Sequence, residues 1–226
     1  RQRQMCIRDS KMSTNTTSVW RKKLKELEIV VVIPTYNNGK TLAAVIEEVC
    51  RYADDIIVVN DGSTDDTANI LEQYPAIRTI THPVNKGKGT ALKHGLSQAK
   101  KEGFRYAITI DSDGQHFASD IPCFIEAIEK EPDTLLVGAR NLASDNMPVK
   151  NTFANKFSNF WFRLETGLKL EDTQSGYRLY PLRKMDVQSC WYTAKYEFEL
   201  EAIVFAAWGD VAVKNIPCLL YTSPSP

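Results

Sequence analysis

No apolar run in this chain approaches the roughly 20 residues that a membrane-crossing helix needs, and a secretory signal is not expected. Cysteine is sparse: of the five, Cys50, Cys123 and Cys190 are widely scattered, Cys6 and Cys218 lie near the ends, and no Cys-x-x-Cys occurs. A zinc site or a disulfide framework is therefore not expected, and a reduced compartment is. No basic run is present, and 28 basic residues face 28 acidic ones, which argues against nucleic acid as a partner. Two nucleotide signatures are also missing. No Gly-x-Gly-x-x-Gly follows the first apolar run, and Gly-x-x-x-x-Gly-Lys-Ser/Thr is absent throughout. Internal repeats and low-complexity stretches are lacking too. The expected location is the cytoplasm, with the inner face of the membrane as an option.

The two ends do not follow the logic of the middle. Met5-Cys-Ile-Arg-Asp-Ser10 and Cys218-Leu-Leu-Tyr-Thr-Ser223 resemble translated sequencing-adapter DNA. Residues 1–11 and 218–226 are set aside on that ground. A single domain is expected over 12–217, with a donor half at 28–140 and an acceptor half at 141–217 that is cut short. Without residues 1–11, 24 basic and 27 acidic residues remain.

What is present is alternation. Glu28-Ile-Val-Val-Val-Ile33 is a continuous β-branched run, as expected of a strand buried on both faces. Leu42, Val45, Ile46 and Val49 then share one helical face. A second strand is expected over Asp55–Asn60, and Ser63 with Asp66 resembles a capping box opening the next helix. A weaker strand follows over Ile77–Thr81. Lys86-Gly-Lys88-Gly89 leads into a helix with Leu92, Leu96 and Ala99 on one face. The strand Tyr106–Asp111 comes next, then a helix after Asp120 and a strand over Thr134–Gly138. Such alternation predicts an α/β fold with a doubly wound, mostly parallel sheet. Ligands of these sheets bind beyond the carboxyl ends of the strands. The residues there are Thr35-Tyr36-Asn37, Asn60-Asp61, Asp111 with Asp113, and Gly138-Ala139-Arg140.

On a strand, Asp111 and Asp113 would project one way and Ser112 the other. Two carboxylates so close repel, which makes a divalent cation a natural neutraliser. Ordinary turn chemistry at Asp113-Gly114 is the plainer alternative.

Val32-Ile-Pro34-Thr-Tyr36-Asn37-Asn, Val59-Asn-Asp61-Gly62-Ser63, Asn85-Lys-Gly87-Lys88-Gly89 and Asp111-Ser-Asp113-Gly-Gln115-His116 together resemble the family-2 glycosyltransferases. Within them the similarity is to the branch of dolichyl-phosphate mannosyl- and glucosyltransferases and their bacterial relatives, over roughly residues 28–217. The resemblance implies a GT-A-type fold and transfer of a sugar, with inversion, from a UDP- or GDP-linked donor. It implies that Pro34, Tyr36 and Asn37 line the nucleotide pocket and that Asp61 meets the base or ribose. Lys86 or Lys88 would meet the diphosphate, the alternative being a solvated loop. Asp111 and Asp113, with Gln115 as a third ligand, would hold Mg²⁺ or Mn²⁺, Asp113 being both metal ligand and catalytic residue. His116 adjoins that site or simply bonds to the backbone.

Past Arg140 the alternation breaks. Phe153, Phe157, Phe160, Trp161 and Leu164 predict a helix from about Thr152 to Thr166, whose aromatic stripe reads first as core and second as a face toward a lipid-linked acceptor. Asp172-Thr-Gln174-Ser175-Gly176-Tyr177-Arg178 resembles the family's Asp-x-x-Ser-Gly-Phe-Arg segment, with Tyr177 in place of phenylalanine. The resemblance implies acceptor contacts by Gln174 and Ser175, and phosphate recognition by Arg178 together with Arg140. Salt bridges are the alternative for the two arginines. Glu197 or Glu199, at the start of an apolar helix running to Trp208, would orient the acceptor or act as a base. A hydroxyl acceptor needs such a base and a phosphate does not. The Gln-x-x-Arg-Trp segment of processive polysaccharide synthases is not visible.

The implied reaction is transfer to a polyprenyl phosphate in glycan or cell-envelope biosynthesis, with a glycan or lipid hydroxyl as the second acceptor class. Peripheral membrane contact through the natural C-terminus stays open. Two rivals are a sugar-nucleotide-binding module without turnover and a nucleotidyltransferase. The latter would want a glycine-rich, basic loop where Pro34-Thr-Tyr-Asn-Asn-Gly39 stands.

Overall fold

The computed structural model describes residues 14–140, 172–173, 175–185 and 197–218; of residues 14–16 and Arg140 it describes the backbone alone. The expected aromatic helix at 152–166, Gln174, the Arg140 side chain and the terminal segments 1–13 and 219–226 lie outside the described residues.

The elements in chain order are α1 (Thr14–Glu26), β1 (Ile29–Thr35), α2 (Gly39–Cys50), β2 (Ile56–Asn60), α3 (Thr67–Glu72), β3 (Arg78–Thr81), α4 (Lys88–Lys101), β4 (Tyr106–Thr109), α5 (Ile121–Lys130), β5 (Leu135–Arg140), β6 (Arg178–Pro181), α6 (Glu197–Trp208) and β7 (Val213–Cys218). Among the described residues the strands form one sheet in the order β3-β2-β1-β4-β6-β5-β7. β6 is antiparallel to β4 and β5, and the other pairs are parallel. The expected doubly wound, mostly parallel sheet is what the chain forms.

β1 shows why. All seven of its residues are buried, and alternate side chains feed opposite layers. Ile29, Val31 and Ile33 pack with α1, α2, α3 and α5 through Trp20, Leu42, Ile46, Ile70 and Phe124. Val30 and Val32 pack with α4 and α6 through Leu92, Leu96, Phe198 and Ala202. Each buried aliphatic side chain contributes roughly 1.5–3 kcal/mol relative to its exposed state. A strand apolar on both faces is stable only with helices on both, and the chain supplies them.

α1, absent from the sequence reading, caps this core with Trp20 and Leu24, both buried. The expected capping box does not form. α3 starts at Thr67 rather than near Ser63, because Asp65 accepts from both the backbone and the hydroxyl of Thr67. Ser63 Oγ instead accepts from the Asn37 backbone N–H at 3.0 Å. The Thr67 hydroxyl, acting against burial, and the backbone N–H groups of Gly39 and Thr67 hold the Asp65 carboxyl below its ordinary range.

The chain leaves β1 toward β2 and β3 on one side, then returns to place β4 on the other side of β1. This is a topological switch point, where the loops after two neighbouring strands part and leave a crevice.

Candidate active site

A cleft of about 610 Å³ opens at that crevice, a size ordinary for a small-molecule site. Its wall includes Pro34, Thr35 and Tyr36 at the end of β1, Asp61 after β2, Asn85, Gly87 and Lys88 leading into α4, and Asp111 to Asp113 after β4. Six of the residues singled out in the sequence, Pro34, Tyr36, Asp61, Lys88, Asp111 and Asp113, thus meet in one place.

Asp61 is 2 % exposed. Its Oδ1 accepts from the Lys86 backbone N–H at 3.0 Å, and its Oδ2 from that of Gly87 at 2.8 Å. Gly87 has φ +93°, a conformation that glycine adopts without strain. This geometry turns successive N–H groups onto one carboxylate and starts α4 at the cleft, so that the positive end of the helix faces it. Asp61 ties the β2 end to the Lys86–Gly89 loop.

Lys88, the first residue of α4, reaches across to two acids. Its Nζ lies 2.8 and 2.9 Å from the two oxygens of Asp111 and 2.7 Å from Glu199 Oε1 on α6. Burial pulls the ammonium toward neutrality, but attraction to Asp111 and Glu199 outweighs it and raises its pKa above the ordinary lysine value. Gly176 covers this cluster. A Cβ there would lie 2.6 Å from Asp111 Oδ2, 2.9 Å from Lys88 Nζ and 3.0 Å from Glu199 Oε1. Only a residue without a side chain leaves the three charges room to meet.

The acidic pair is differently built from the expectation. β4 ends at Thr109, so Asp111 and Asp113 stand in a turn rather than alternating along a strand. They still share the cleft wall, because Ser112 is turned into the protein. Its Oγ accepts from Asn38 Nδ2 at 2.8 Å, and its carbonyl from the Thr41 hydroxyl at 2.6 Å. Asp113 is exposed and accepts the Gln115 backbone N–H at 2.9 Å. His116 is buried, with Nε2 3.9 Å from Asp111 Oδ2.

Oxygen donors of this kind suit Mg²⁺ or Mn²⁺. Among the described residues, no three acidic, His or Cys side chains are grouped as a ready-made metal cage. Two carboxylates nonetheless fit a cation whose remaining ligands are substrate phosphates and water, the usual arrangement for Mg²⁺ at phosphate sites.

Several expected residues sit elsewhere. Asn37, at φ +53°, accepts the Thr64 backbone N–H on Oδ1 at 2.8 Å and clasps the β1 and β2 loops together; it is not part of the cleft wall. Lys86 is exposed and contributes its backbone N–H. Gln115 and Glu197 are exposed. Ser175 is buried, its hydroxyl accepting from the Tyr177 N–H at 3.3 Å. Arg178 departs from its expected surroundings. It is 0 % exposed, and Nε, Nη1 and Nη2 donate to the carbonyls of Ser175, Glu199 and Thr173. In this arrangement the guanidinium is turned to backbone carbonyls and is not on the cleft wall. It clasps Thr173 and Ser175 to α6 and sets Glu199 in place.

Thr35, placed by the sequence at the strand end, is on the cleft wall, whereas Asn38, Asn85 and Ser112 there were not singled out as ligand residues. Thr35 is 3 % exposed, and its hydroxyl has no hydrogen-bond partner among the described residues.

Residues 30–186 match the model of glycosyl transferase family 2. The chain is a family-2 glycosyltransferase. A UDP-N-acetylglucosamine–dolichyl-phosphate N-acetylglucosaminyltransferase of Methanococcus voltae is 31 % identical over 87 % of this chain and 87 % of its own length. The polyprenol monophosphomannose synthase of Mycolicibacterium smegmatis is 27 % identical over 83 % and 75 % of the two chains. Glucosyl-3-phosphoglycerate synthase from Mycobacterium tuberculosis, solved with UDP, shares the fold at TM-score 0.69 and 20 % identity, over 96 % of this chain and 79 % of that one. The same synthase has been solved with Mn²⁺ and UDP. Among the described residues of this glycosyltransferase, no helix is long and apolar enough to cross a membrane.

Proposed function

We propose that this glycosyltransferase moves one sugar from a nucleoside diphosphate sugar to a polyprenyl phosphate, with inversion at the anomeric carbon and with Mg²⁺ or Mn²⁺ bound. The observation that carries this reading is the convergence of Asp61, Lys88, Asp111 and Asp113 on one cleft at the switch point. The named polyprenyl- and dolichyl-phosphate transferases among its relatives support the acceptor class. Such an acceptor brings the enzyme to a bilayer surface as a peripheral protein.

In this mechanism Asp61 receives a hydrogen bond from the donor's nucleoside, and Tyr36, 44 % exposed at the cleft mouth, lies against it. Lys88 and the N-terminus of α4 attract the diphosphate. Asp111 and Asp113 hold the cation, which supplies neutralisation of the charge growing on the leaving diphosphate. An acceptor phosphate oxygen attacks the anomeric carbon from the face opposite the diphosphate. The new carbon–oxygen bond forms as the old one breaks, and the nucleoside diphosphate departs with the bonding pair. No proton is removed from the acceptor, so no base is required.

A second reading, transfer to a hydroxyl, draws on Glu199, a 6 % exposed carboxylate 2.7 Å from a cleft lysine. There Glu199 would take the hydroxyl proton.

The experiment is a thermal-shift screen of UDP-, GDP- and dTDP-sugars with and without Mn²⁺. One nucleotide class is expected to stabilise the protein in a metal-dependent way, by about 2.7 kcal/mol at a hundredfold excess over Kd. In Asp113→Ala the metal-dependent part is expected to vanish. Stabilisation by no nucleotide, or full metal-dependent stabilisation of Asp113→Ala, overturns the site assignment.

A further inference from the structure

The chain has three histidines, and two of them form a hydrogen-bonded line that ends on Asp61. His82 follows β3 and is 4 % exposed. Its Nδ1 lies 2.6 Å from Asp61 Oδ1, and its Nε2 lies 2.7 Å from Nδ1 of His94. The two rings meet edge to face at 86°. His94 sits on the exposed side of α4, almost two turns past Lys88.

With both rings neutral, the partners assign the proton positions. The Asp61 carboxylate already accepts two backbone N–H groups, so it is an acceptor toward His82 as well, and His82 Nδ1 carries the hydrogen. His82 Nε2 is then a bare acceptor, and His94 Nδ1 supplies the hydrogen that fills it. Each ring fixes the tautomer of the next, as an outer partner fixes a metal-bound histidine. Burial first, with Lys86 among the charges adding to it, pulls the His94 imidazole below its ordinary range and favours a neutral ring there.

A carboxylate offers about four acceptor positions. Three on Asp61 are taken, by His82, Lys86 and Gly87. Asp61 belongs to the cleft wall, which leaves one position for a ligand, in an orientation the other three dictate. The two backbone donors lie near the end of the β3–α4 loop. His82 opens that loop directly after β3, and its own backbone N–H donates to the Asn60 carbonyl at 2.9 Å, which ties the ring and the carboxylate to β2.

We infer that His82, held in one tautomer by His94, is the positioning residue that fixes the Asp61 carboxylate for the donor's nucleoside. This inference rests on the donor-site reading above. The line runs from solvent at His94, through a buried ring, to the wall of the cleft. It makes nucleotide affinity depend on two residues that the nucleotide does not touch.

The test measures UDP and GDP binding with Mn²⁺ by calorimetry on the full chain. His82→Leu is expected to weaken binding of the recognised nucleotide about tenfold, since the carboxylate loses a buried charge-assisted donor. His82→Asn, whose amide N–H replaces Nδ1–H, is expected to return affinity to within about threefold of wild type. In ¹⁵N spectra His82 is expected to show a protonated Nδ1 and a bare Nε2. His94→Leu, on the exposed side, is expected to mix the two tautomers and weaken binding about threefold. It carries the test should His82→Leu not fold. If wild type binds neither nucleotide, the donor-site reading falls and takes this inference with it. If wild type binds and His82→Leu or a folded His94→Leu binds equally well, the inference alone falls.

Discussion

Replacing Lys88 by methionine removes the one cation among the described residues that Asp111 and Glu199 share. At 2.8 Å and an effective dielectric of about 20, each ion pair is worth about 6 kcal/mol before desolvation. Desolvation of the three groups takes most of that back, yet removing one partner leaves the others buried and uncompensated, at about 3–5 kcal/mol for a fully buried pair. The Lys88 and Asp111 side chains are each 21 % exposed and that of Glu199 8 %, so the net loss is set lower, at about 2–4 kcal/mol. For a chain of this length that corresponds to a fall in Tm of about 4–16 °C. Urea unfolding with a pH series is the assay. Adding Glu199→Gln to Lys88→Met is expected to recover about half of the loss, because a neutral amide needs no cation. A Lys88→Met variant within about 0.5 kcal/mol of wild type, typical of an unimportant surface change, would refute the reasoning.

Three further outcomes are expected. Arg178→Met strands three buried carbonyls and should lower stability by about 3 kcal/mol or more in urea unfolding; an unchanged midpoint would return Arg178 to the list of free acceptor ligands. Gly176→Ala should push apart Asp111, Lys88 and Glu199 and destabilise by about 1–3 kcal/mol, which a melting curve reads directly. His94 has a depressed pKa in the folded protein. Its contribution is therefore complete above the unfolded value of about 6.5 and is lost as pH falls below it. His94→Gln should flatten the acid limb of the stability profile measured between pH 7 and pH 5, and an identical limb in the variant counts against the depressed pKa.

Much of the fold was legible because it is written in local patterns. β1 and β2 are runs apolar on both faces, and α2 repeats its apolar residues at helical spacing. The cleft was legible through a topological rule, since strand alternation places the ends of β1, β2 and β4 together. What escaped notice depends on partners far apart in the chain. Glu199 lies on a helix apolar along most of its length, so no periodicity tells that its carboxylate is buried against Lys88. Arg178 carries the residue type of a phosphate ligand, and only the folded chain shows its donors turned to carbonyls. His82 and His94 lack any short motif. Their meeting requires α4 to lie beside the end of β3, which sequence spacing does not encode. Ser63 against Asp65 shows the same limit at short range: both are good cap residues, and a contact with Gly39, 26 positions away, decides between them.

The most direct measurement of the central claim is turnover. Radiolabelled UDP- and GDP-sugars would be incubated with the enzyme, Mn²⁺ and vesicles carrying a polyprenyl phosphate, and label in the lipid fraction would be counted. The account predicts transfer of one sugar per lipid from one nucleotide class, with the anomeric configuration inverted and with activity lost in Asp113→Ala. Label that stays with the nucleotide, or passes only to a hydroxyl acceptor, would contradict it.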